Sequence, residues 1–229
     1  MKFNWPLRNR EKWIWRQCQL PATLHVMEAS IITFDDFTDI DVFFLWDLLN
    51  RVREPGCRIR ILGESATHRS STGIEIPMHG HISESAGCDV VLFSSGIGTR
   101  RKRVDPAFLS EFRLDPERQL IGSMCSGALL LAALGLLDGK SATTYPTSRD
   151  LLASTGVRVV ERPFVREGNV ATAAGCLAAQ YLAGWVIEEK FGAAKREEVL
   201  RSIMPVGEGL FFDDAERIAA AYATQASST

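Results

Sequence analysis

Apolar residues occur along the chain in short consecutive runs bounded by turn residues. Residues 25–34, 88–96 and 119–124 each contain such a run, which is typical of strands buried on both faces of a parallel sheet. Residues 57–64 alternate between apolar and polar positions and predict a further strand. We expect these four segments to belong to one sheet.

Stretches of helical character lie between the strands. The predicted helices span residues 42–54, 105–115, 126–139, 148–156 and 176–192. Residues 35–41 are predicted as a turn, and residues 70–85 as a strand pair with a turn near Gly80. Residues 157–175 are predicted as strands around a turn at 167–169. Strands that alternate with helices in this way predict an α/β fold with a mostly parallel sheet sandwiched by helices.

Composition and charge exclude several classes of protein. The chain has 229 residues, 46% hydrophobic and 24% charged, with a formal net charge of −2, so it is long enough for one well-packed domain. This balance does not favour nucleic acid or a membrane as a partner. The most apolar run, residues 127–137, is shorter than a membrane span. Five widely spaced cysteines without a CxxC pair predict a reducing, cytoplasmic compartment.

The domain organisation is predicted from changes in composition. Residues 25–192 carry the alternating pattern, and residues 193–229 add a helical segment that we expect to pack on this domain. Residues 1–24 form a basic extension with three tryptophans and no secretory cleavage pattern. We favour an arm that packs on the body or on a second subunit over a helix lying on a membrane surface, because its apolar face is narrow.

Cys125 is the candidate nucleophile. It follows a predicted buried strand and precedes a predicted helix, at the edge of an α/β sheet where ligands bind. Its neighbours Gly122, Ser123, Ser126 and Gly127 are small, as a nucleophile elbow at a strand–helix junction requires. The helix terminus is expected to lower the thiol pKa. The alternative is a small buried core residue, which is how we interpret the other cysteines. Cys176 is the least certain of these, because it also opens a helix.

Several segments together resemble one protein superfamily. "MCSGALLLAALGLLDGKSATTY" is similar to the nucleophile segment of the ThiJ/PfpI superfamily, which is class I glutamine amidotransferase-like, and "CDVVLFSSGIG" and "ERPFVREGNVATAAG" match two further segments of it. The resemblance covers roughly residues 27–192 and implies a flavodoxin-like fold. It is strongest to isonitrile hydratases and to the ligand-binding domains of some AraC-type regulators.

The resemblance also implies roles for individual residues. Asp41 aligns with the acid that isonitrile hydratases carry after the first strand, and it can accept a proton or position water. Its alternative role is to cap a helix. Ser126 keeps a hydroxyl after the nucleophile, and its N–H and that of Gly96 are expected to stabilise developing charge. Gly98 and Tyr145 are further candidates for the substrate or oxyanion site.

The chain departs from the superfamily pattern at three places. Phe44 and Leu45 replace a Gly-Pro pair, Ser94 and Ser95 fall in the "PGG" turn, and Tyr145 replaces a histidine. We therefore expect a reshaped pocket. Ser126 stands where the protease-like branch has a histidine, which disfavours a peptidase.

The resemblance implies a cysteine-dependent enzyme, a hydro-lyase that converts a small isonitrile into an N-substituted formamide without a metal or organic cofactor. Hydrolysis of a C–N bond and glyoxalase-type chemistry on the same thiol are neighbouring possibilities. The alternative class is a non-catalytic sensor whose thiol is oxidised or binds a ligand. The resemblance also implies a homodimer. The segment after Gly192 is too short for the DNA-reading region of an AraC-type regulator.

Two other polar motifs are given structural interpretations. His79 and His81 could share a strand face and bind a metal, but no third ligand is evident, so a surface turn is favoured. The basic run at residues 100–103 could attract an anionic substrate, but a solvated loop is favoured.

Overall fold

The computed structural model describes residues 27–204. The predicted extension at residues 1–24 lies outside the described residues, as do residues 205–229 of the predicted C-terminal segment. None of the helices in the described part is long and apolar enough to cross a membrane.

Eleven strands and seven α-helices follow one another in the described part of the chain. The strands are β1 Met27–Ile32, β2 Cys57–Gly63, β3 Thr67–Arg69, β4 Glu75–Pro77, β5 Gly80–His81, β6 Val90–Phe93, β7 Leu120–Met124, β8 Ser141–Ala142, β9 Arg158–Val159, β10 Phe164–Glu167 and β11 Val170–Ala173. The helices are α1 Asp39–Asn50, α2 Thr99–Lys102, α3 Pro106–Ser110, α4 Ala128–Ala133, α5 Arg149–Ala153, α6 Ala179–Phe191 and α7 Ala193–Arg201.

Seven of the strands form one sheet in the order β10-β11-β7-β6-β1-β2-β5. All its neighbouring pairs are parallel except β10 and β11, which form an antiparallel hairpin at one edge. The chain moves from β1 to β2 on one side and then returns to β6 on the other. The strand order therefore reverses between β1 and β6, which is where α/β sheets bind ligands. The predicted flavodoxin-like arrangement is confirmed.

The two faces of the sheet bury separate hydrophobic clusters, because successive side chains of a strand point to opposite faces. In β6, Val90 and Leu92 join the cluster under α1 and α6, whereas Val91 and Phe93 join the cluster under α3 and α4. Such central strands are buried on both faces, and this explains why they appear in the sequence as continuous apolar runs.

The local predictions differ from the structure at several places, and three of them bear on the segments around the site. The first helix begins at Asp39, so residues 39–41 lie in its first turn rather than in a loop. Two acidic side chains in that turn complement the positive end of the helix dipole. The helix after Cys125 ends at Ala133 rather than near residue 139, ahead of Gly135, which has a φ of +73°. The turn of the strand pair lies between β3 and β4 near Gly73, and Gly80 instead begins β5.

Candidate active site

The backbone at Cys125 forms the predicted elbow between β7 and the following helical turn. Cys125 has a φ of +45°, a conformation that costs a residue other than glycine about 1–3 kcal/mol. Two residues later, a Cβ on Gly127 would lie 2.5 Å from the carbonyl oxygen of Ser94. The small residues around Cys125 are therefore required by the close approach of the loop after β6.

Asp41 lies in the first turn of α1 and is fully buried. The Ser95 hydroxyl donates a hydrogen bond to its Oδ2. Its other oxygen, Oδ1, is buried without an N–H or O–H partner among the described residues, and the carboxylate interacts with the thiols of Cys125 and Cys176. A carboxylate buried in this way costs free energy unless a nearby group shares its charge or a proton. Its helix-capping alternative is not what the structure shows, because Thr38 occupies the N-cap position.

Asp41, Cys125 and Cys176 converge on one point. A carboxylate oxygen and the two Sγ atoms all lie within 4.8 Å of one another. Among residues 27–204, these three side chains are the group of His, Cys, Asp and Glu residues whose spacing could hold a metal ion. Deprotonated cysteines would suit a soft ion such as Zn²⁺.

Cys176 is the site residue that sequence reasoning missed, since it was interpreted as structural. The sheet explains its position: β7 and β11 are parallel neighbours, and Met124 is in register with Ala173. Cys125 follows the first of these residues directly, and Cys176 follows the second after a short loop. The available signal was that both cysteines lie between a predicted strand and a predicted helix.

The surroundings raise the pKa of the Cys125 thiol. Burial is the main cause, and the charge of Asp41 acts in the same direction. The backbone N–H of Gly175 donates toward the sulfur and opposes the shift only weakly. This reverses the expectation of a lowered pKa, because burial and the neighbouring carboxylate both favour the neutral thiol. Burial and Asp41 likewise raise the pKa of Cys176 to about 11.

A hydrogen bond joins Gly96, in the loop after β6, to Ser126, in the elbow after β7. The Gly96 N–H donates to Ser126 Oγ at 3.3 Å, and Thr99 Oγ1 donates to Ser126 Oγ at 3.1 Å. The Gly96 amide is therefore engaged by a side chain in this structure. A Cβ on Gly98 would lie 2.2 Å from the carbonyl oxygen of Asp35, so this glycine allows the loops after β1 and β6 to approach each other.

Tyr145 lies at the surface and borders a cleft beside the elbow. Its side chain is 45% exposed. The cleft has a volume of about 340 Å³ and is also lined by Thr144 and Gly175. Both of these residues contact Cys125, since Thr144 Oγ1 donates to its carbonyl oxygen and the Gly175 N–H faces its sulfur. The cleft therefore adjoins the nucleophile, and its size suits a small molecule.

The residues that depart from the superfamily pattern have different surroundings. Leu45 is fully buried in the core cluster under α1, and Phe44 packs against that cluster. Ser94 is buried in the loop after β6. Ser95 is the one of these that contacts a candidate catalytic group, because it bonds to Asp41. Ser95 and Tyr145 are therefore the departures that place polar groups at or beside the site.

The two histidines and the basic run make the following local contacts. His79 stacks on Trp46 with ring centroids 5.0 Å apart, and its Nδ1 accepts from the Ile61 N–H. His81 Nδ1 accepts from the Ser83 N–H and caps a short helical turn. The basic run is not the loop that the sequence predicts, because residues 100–102 belong to the short helix α2, in which Arg101 pairs with Asp36.

Comparison with known protein families shows to which family this chain belongs. The sequence profile described as the DJ-1/PfpI family matches residues 27–189. The chain belongs to the DJ-1/PfpI family. The match covers the whole sheet, Asp41, the elbow and Cys176.

Relatives of this DJ-1/PfpI protein carry different activities. It is 27% identical over 154 residues to an isonitrile hydratase from Pseudomonas putida, which covers 66% of this chain and 67% of that protein. It is 22% identical over 147 residues to a deglycase from Pyrococcus horikoshii, covering 62% of this chain and 87% of that protein. The crystal structure of DJ-1beta from Drosophila melanogaster has a TM-score of 0.69 at 23% identity and covers 77% of this chain and 97% of its own. The family therefore includes enzymes, and the likeness to the solved structure shows the fold.

Proposed function

We propose that this protein is a cysteine-dependent enzyme that hydrates a small isonitrile to an N-substituted formamide. The observation that carries the proposal is the placement of Cys125 Sγ and the Asp41 carboxylate within 4.8 Å of each other at a strained elbow. A nucleophile beside a proton acceptor is the minimum that this chemistry requires. The similarity to an isonitrile hydratase supports it.

In the first step the Cys125 sulfur forms a bond with the isocyano carbon. The thiol keeps its proton at neutral pH because its pKa is raised, so the proton must leave during the attack. Asp41 accepts that proton and delivers it to the same carbon. The S–H bond has then added across the carbon, giving a thioimidate in which the nitrogen and carbon share a double bond.

In the second step water attacks the thioimidate carbon. Asp41 takes a proton from the water and delivers it to the nitrogen, so the carbon becomes tetrahedral and carries a hydroxyl group and the Cys125 sulfur. The carbon–oxygen bond then becomes a double bond as the C–S bond breaks, the hydroxyl proton passes through Asp41 to the Cys125 sulfur, and the formamide leaves with the thiol regenerated. Ser95 holds the Asp41 carboxylate in place through its hydrogen bond at both steps. The Gly175 N–H, which faces the sulfur, stabilises charge on it.

The edge of the site favours a substrate with an apolar substituent. Ile40, Ile97 and Leu177 are exposed large apolar side chains, with Leu177 69% exposed. Each is the neighbour in sequence of a site residue: Asp41, Gly96 and Cys176 respectively. We propose that they, with Tyr145 in the adjoining cleft, contact the organic group of the isonitrile. The proposal includes a homodimer in a reducing cytoplasm.

A second candidate activity uses the same thiol on a reactive carbonyl. The deglycase relative supports it, since the alignment covers 87% of that protein. A thiol beside a carboxylate can also attack an aldehyde carbon. This activity and hydration differ in their substrates and not in the nucleophile.

Turnover of a panel of small isonitriles tests the proposal. We expect the full chain to release the corresponding formamides, and Cys125→Ser and Asp41→Asn each to lower kcat by about 10³-fold or more. Cys57→Ser is the matched control and should keep wild-type turnover, because Cys57 begins β2 and so lies at the opposite end of the parallel strands from the site. Absence of formamide from every isonitrile, with turnover of a dicarbonyl that depends on Cys125, would replace hydration with the second activity.

A further inference from the structure

The second cysteine at the site has no part in the proposed hydration. Cys176 Sγ lies within 4.8 Å of Cys125 Sγ, and the two sulfurs share one carboxylate neighbour, Asp41. Both cysteines are free thiols in the structure. Their closeness follows from the sheet, because they extend from the carboxyl ends of the adjacent parallel strands β7 and β11.

To form a disulfide bond, the two sulfur atoms must approach from within 4.8 Å to about 2 Å of each other. Gly175, the residue before Cys176, has a φ of +91° and open space on its Cβ side. Cys176 begins a single helical turn rather than the body of α6, which starts at Ala179. Open space beside Gly175 and the half-buried position of Cys176 leave room for its sulfur to move towards Cys125.

We propose that Cys176 is a resolving cysteine, which captures an oxidised Cys125 in a reversible intramolecular disulfide. The inference goes beyond the proposed hydration and does not depend on the substrate of the enzyme. It requires that a hydroperoxide reach Cys125, and that Cys176 attack before a second oxidation. The disulfide would hold the nucleophile in an inactive, recoverable form.

The reaction balances with a hydroperoxide as oxidant. The Cys125 sulfur attacks one oxygen of hydrogen peroxide, the O–O bond breaks, one water leaves, and Cys125 becomes a sulfenic acid. The Cys176 sulfur then attacks the Cys125 sulfur, the S–OH bond breaks, and a second water leaves. Two thiols are oxidised by two electrons, and one peroxide is reduced to two waters. Asp41 accepts the thiol proton in each step and returns it to the departing oxygen.

Reduction of the disulfide depends on which of its two sulfur atoms a reductant can reach. Cys125 is 5% exposed, whereas Cys176 is only partly buried. A dithiol reductant therefore reaches the Cys176 sulfur of the disulfide first. Its attack there releases Cys125 as the thiol and restores the nucleophile.

Peptide mass spectrometry after peroxide treatment tests the proposal. The full chain is treated with hydrogen peroxide in the presence of dimedone, which labels sulfenic acids. We expect wild type to contain a Cys125–Cys176 disulfide that dithiothreitol reverses. In Cys176→Ser we expect dimedone labelling of Cys125 to rise roughly tenfold or more, because the intramolecular competitor is gone. Without dimedone, Cys125 of that variant should gain two oxygen atoms and not recover with dithiothreitol.

Cys57→Ser is the control and should behave as wild type, since Cys57 begins β2, three strands from β7 in the sheet and at the amino end of the strand. Any result in which Cys176 of peroxide-treated wild type remains a free thiol overturns the proposal. The readout is a covalent mass and does not involve isonitrile turnover. Failure of the hydration proposal and failure of this one are therefore distinguishable.

Discussion

Cys125 has surroundings that favour the thiol over the thiolate. The sulfur is buried, its nearest ionisable neighbours are an acid and a second thiol, and no basic side chain is among the main influences on its pKa. Activation must then come from transfer of the proton to Asp41 during the attack, rather than from a standing thiolate. The same surroundings protect the thiol from indiscriminate alkylation.

A raised pKa has a consequence for chemical labelling of Cys125. We expect its rate of alkylation by iodoacetamide to rise about tenfold per pH unit between about pH 7 and about pH 9, without a plateau, because the thiolate fraction grows throughout that range. Quantitative mass spectrometry of the Cys125 peptide measures this rate. A plateau below about pH 7 would show that the thiolate already predominates, and would restore the lowered pKa that the sequence suggests.

At the scale of the elements, the site depends on loops that approach one another very closely. The loops after β1 and β6 meet at Gly96 and Gly98, and the loop after β6 meets the elbow at Gly127. Each glycine lies against a backbone atom that cannot move aside as a side chain can. These contacts set the distance between α1, which carries Asp41, and the elbow, which carries Cys125.

Gly96→Ala tests this dependence. Gly96 has a φ of +150°, and a Cβ there would lie 2.1 Å from the carbonyl oxygen of Asp36. We expect the free energy of unfolding, measured by urea denaturation, to fall by on the order of 3 kcal/mol. Gly87→Ala is the matched control, with open space at its Cβ, and should change stability by no more than about 0.5 kcal/mol. Equal effects of the two substitutions would contradict the close approach of the loops.

The fold as a whole buries several thiols in surroundings that raise their pKa values. Burial raises the pKa of Cys57 to about 11, and burial with Asp41 raises that of Cys176 to about 11. The thiol of Cys125 is shifted in the same direction. These three thiols therefore bind their protons more tightly in the folded chain than in the unfolded chain, in which thiols titrate at about pH 8.5.

Stability should consequently fall at alkaline pH. Below about pH 8.5 the thiols are protonated in both the folded and the unfolded chain, and the folded chain has its full stability. Above about pH 8.5 the unfolded chain loses thiol protons before the folded chain does, so the free energy of unfolding falls. We expect each thiol to contribute a loss on the order of 1 kcal/mol by about pH 10, measured as the free energy of unfolding in urea. Cys57→Ala should flatten the decline relative to wild type. A stability that is constant from about pH 8 to about pH 10 would contradict these shifts.

The sequence by itself determined the order of the elements, the α/β class and the elbow at Cys125. Continuous apolar runs identify central parallel strands, and the small residues around Cys125 identify a tight junction, because both are consequences of local sterics and burial. The start of α1 was wrong by a few residues, since acidic residues that favour a turn also favour the first turn of a helix.

Only the tertiary structure decided which side chains meet at the site. Asp41 was placed by resemblance, but the burial of its Oδ1 and its distance from Cys125 depend on how α1 docks on the sheet. Cys176 lies 51 residues after Cys125 in the sequence, and their contact exists because β11 pairs with β7. The direction of the Cys125 pKa shift also required the fold. A helix terminus is visible in a sequence, whereas burial and the approach of a carboxylate from another loop are not.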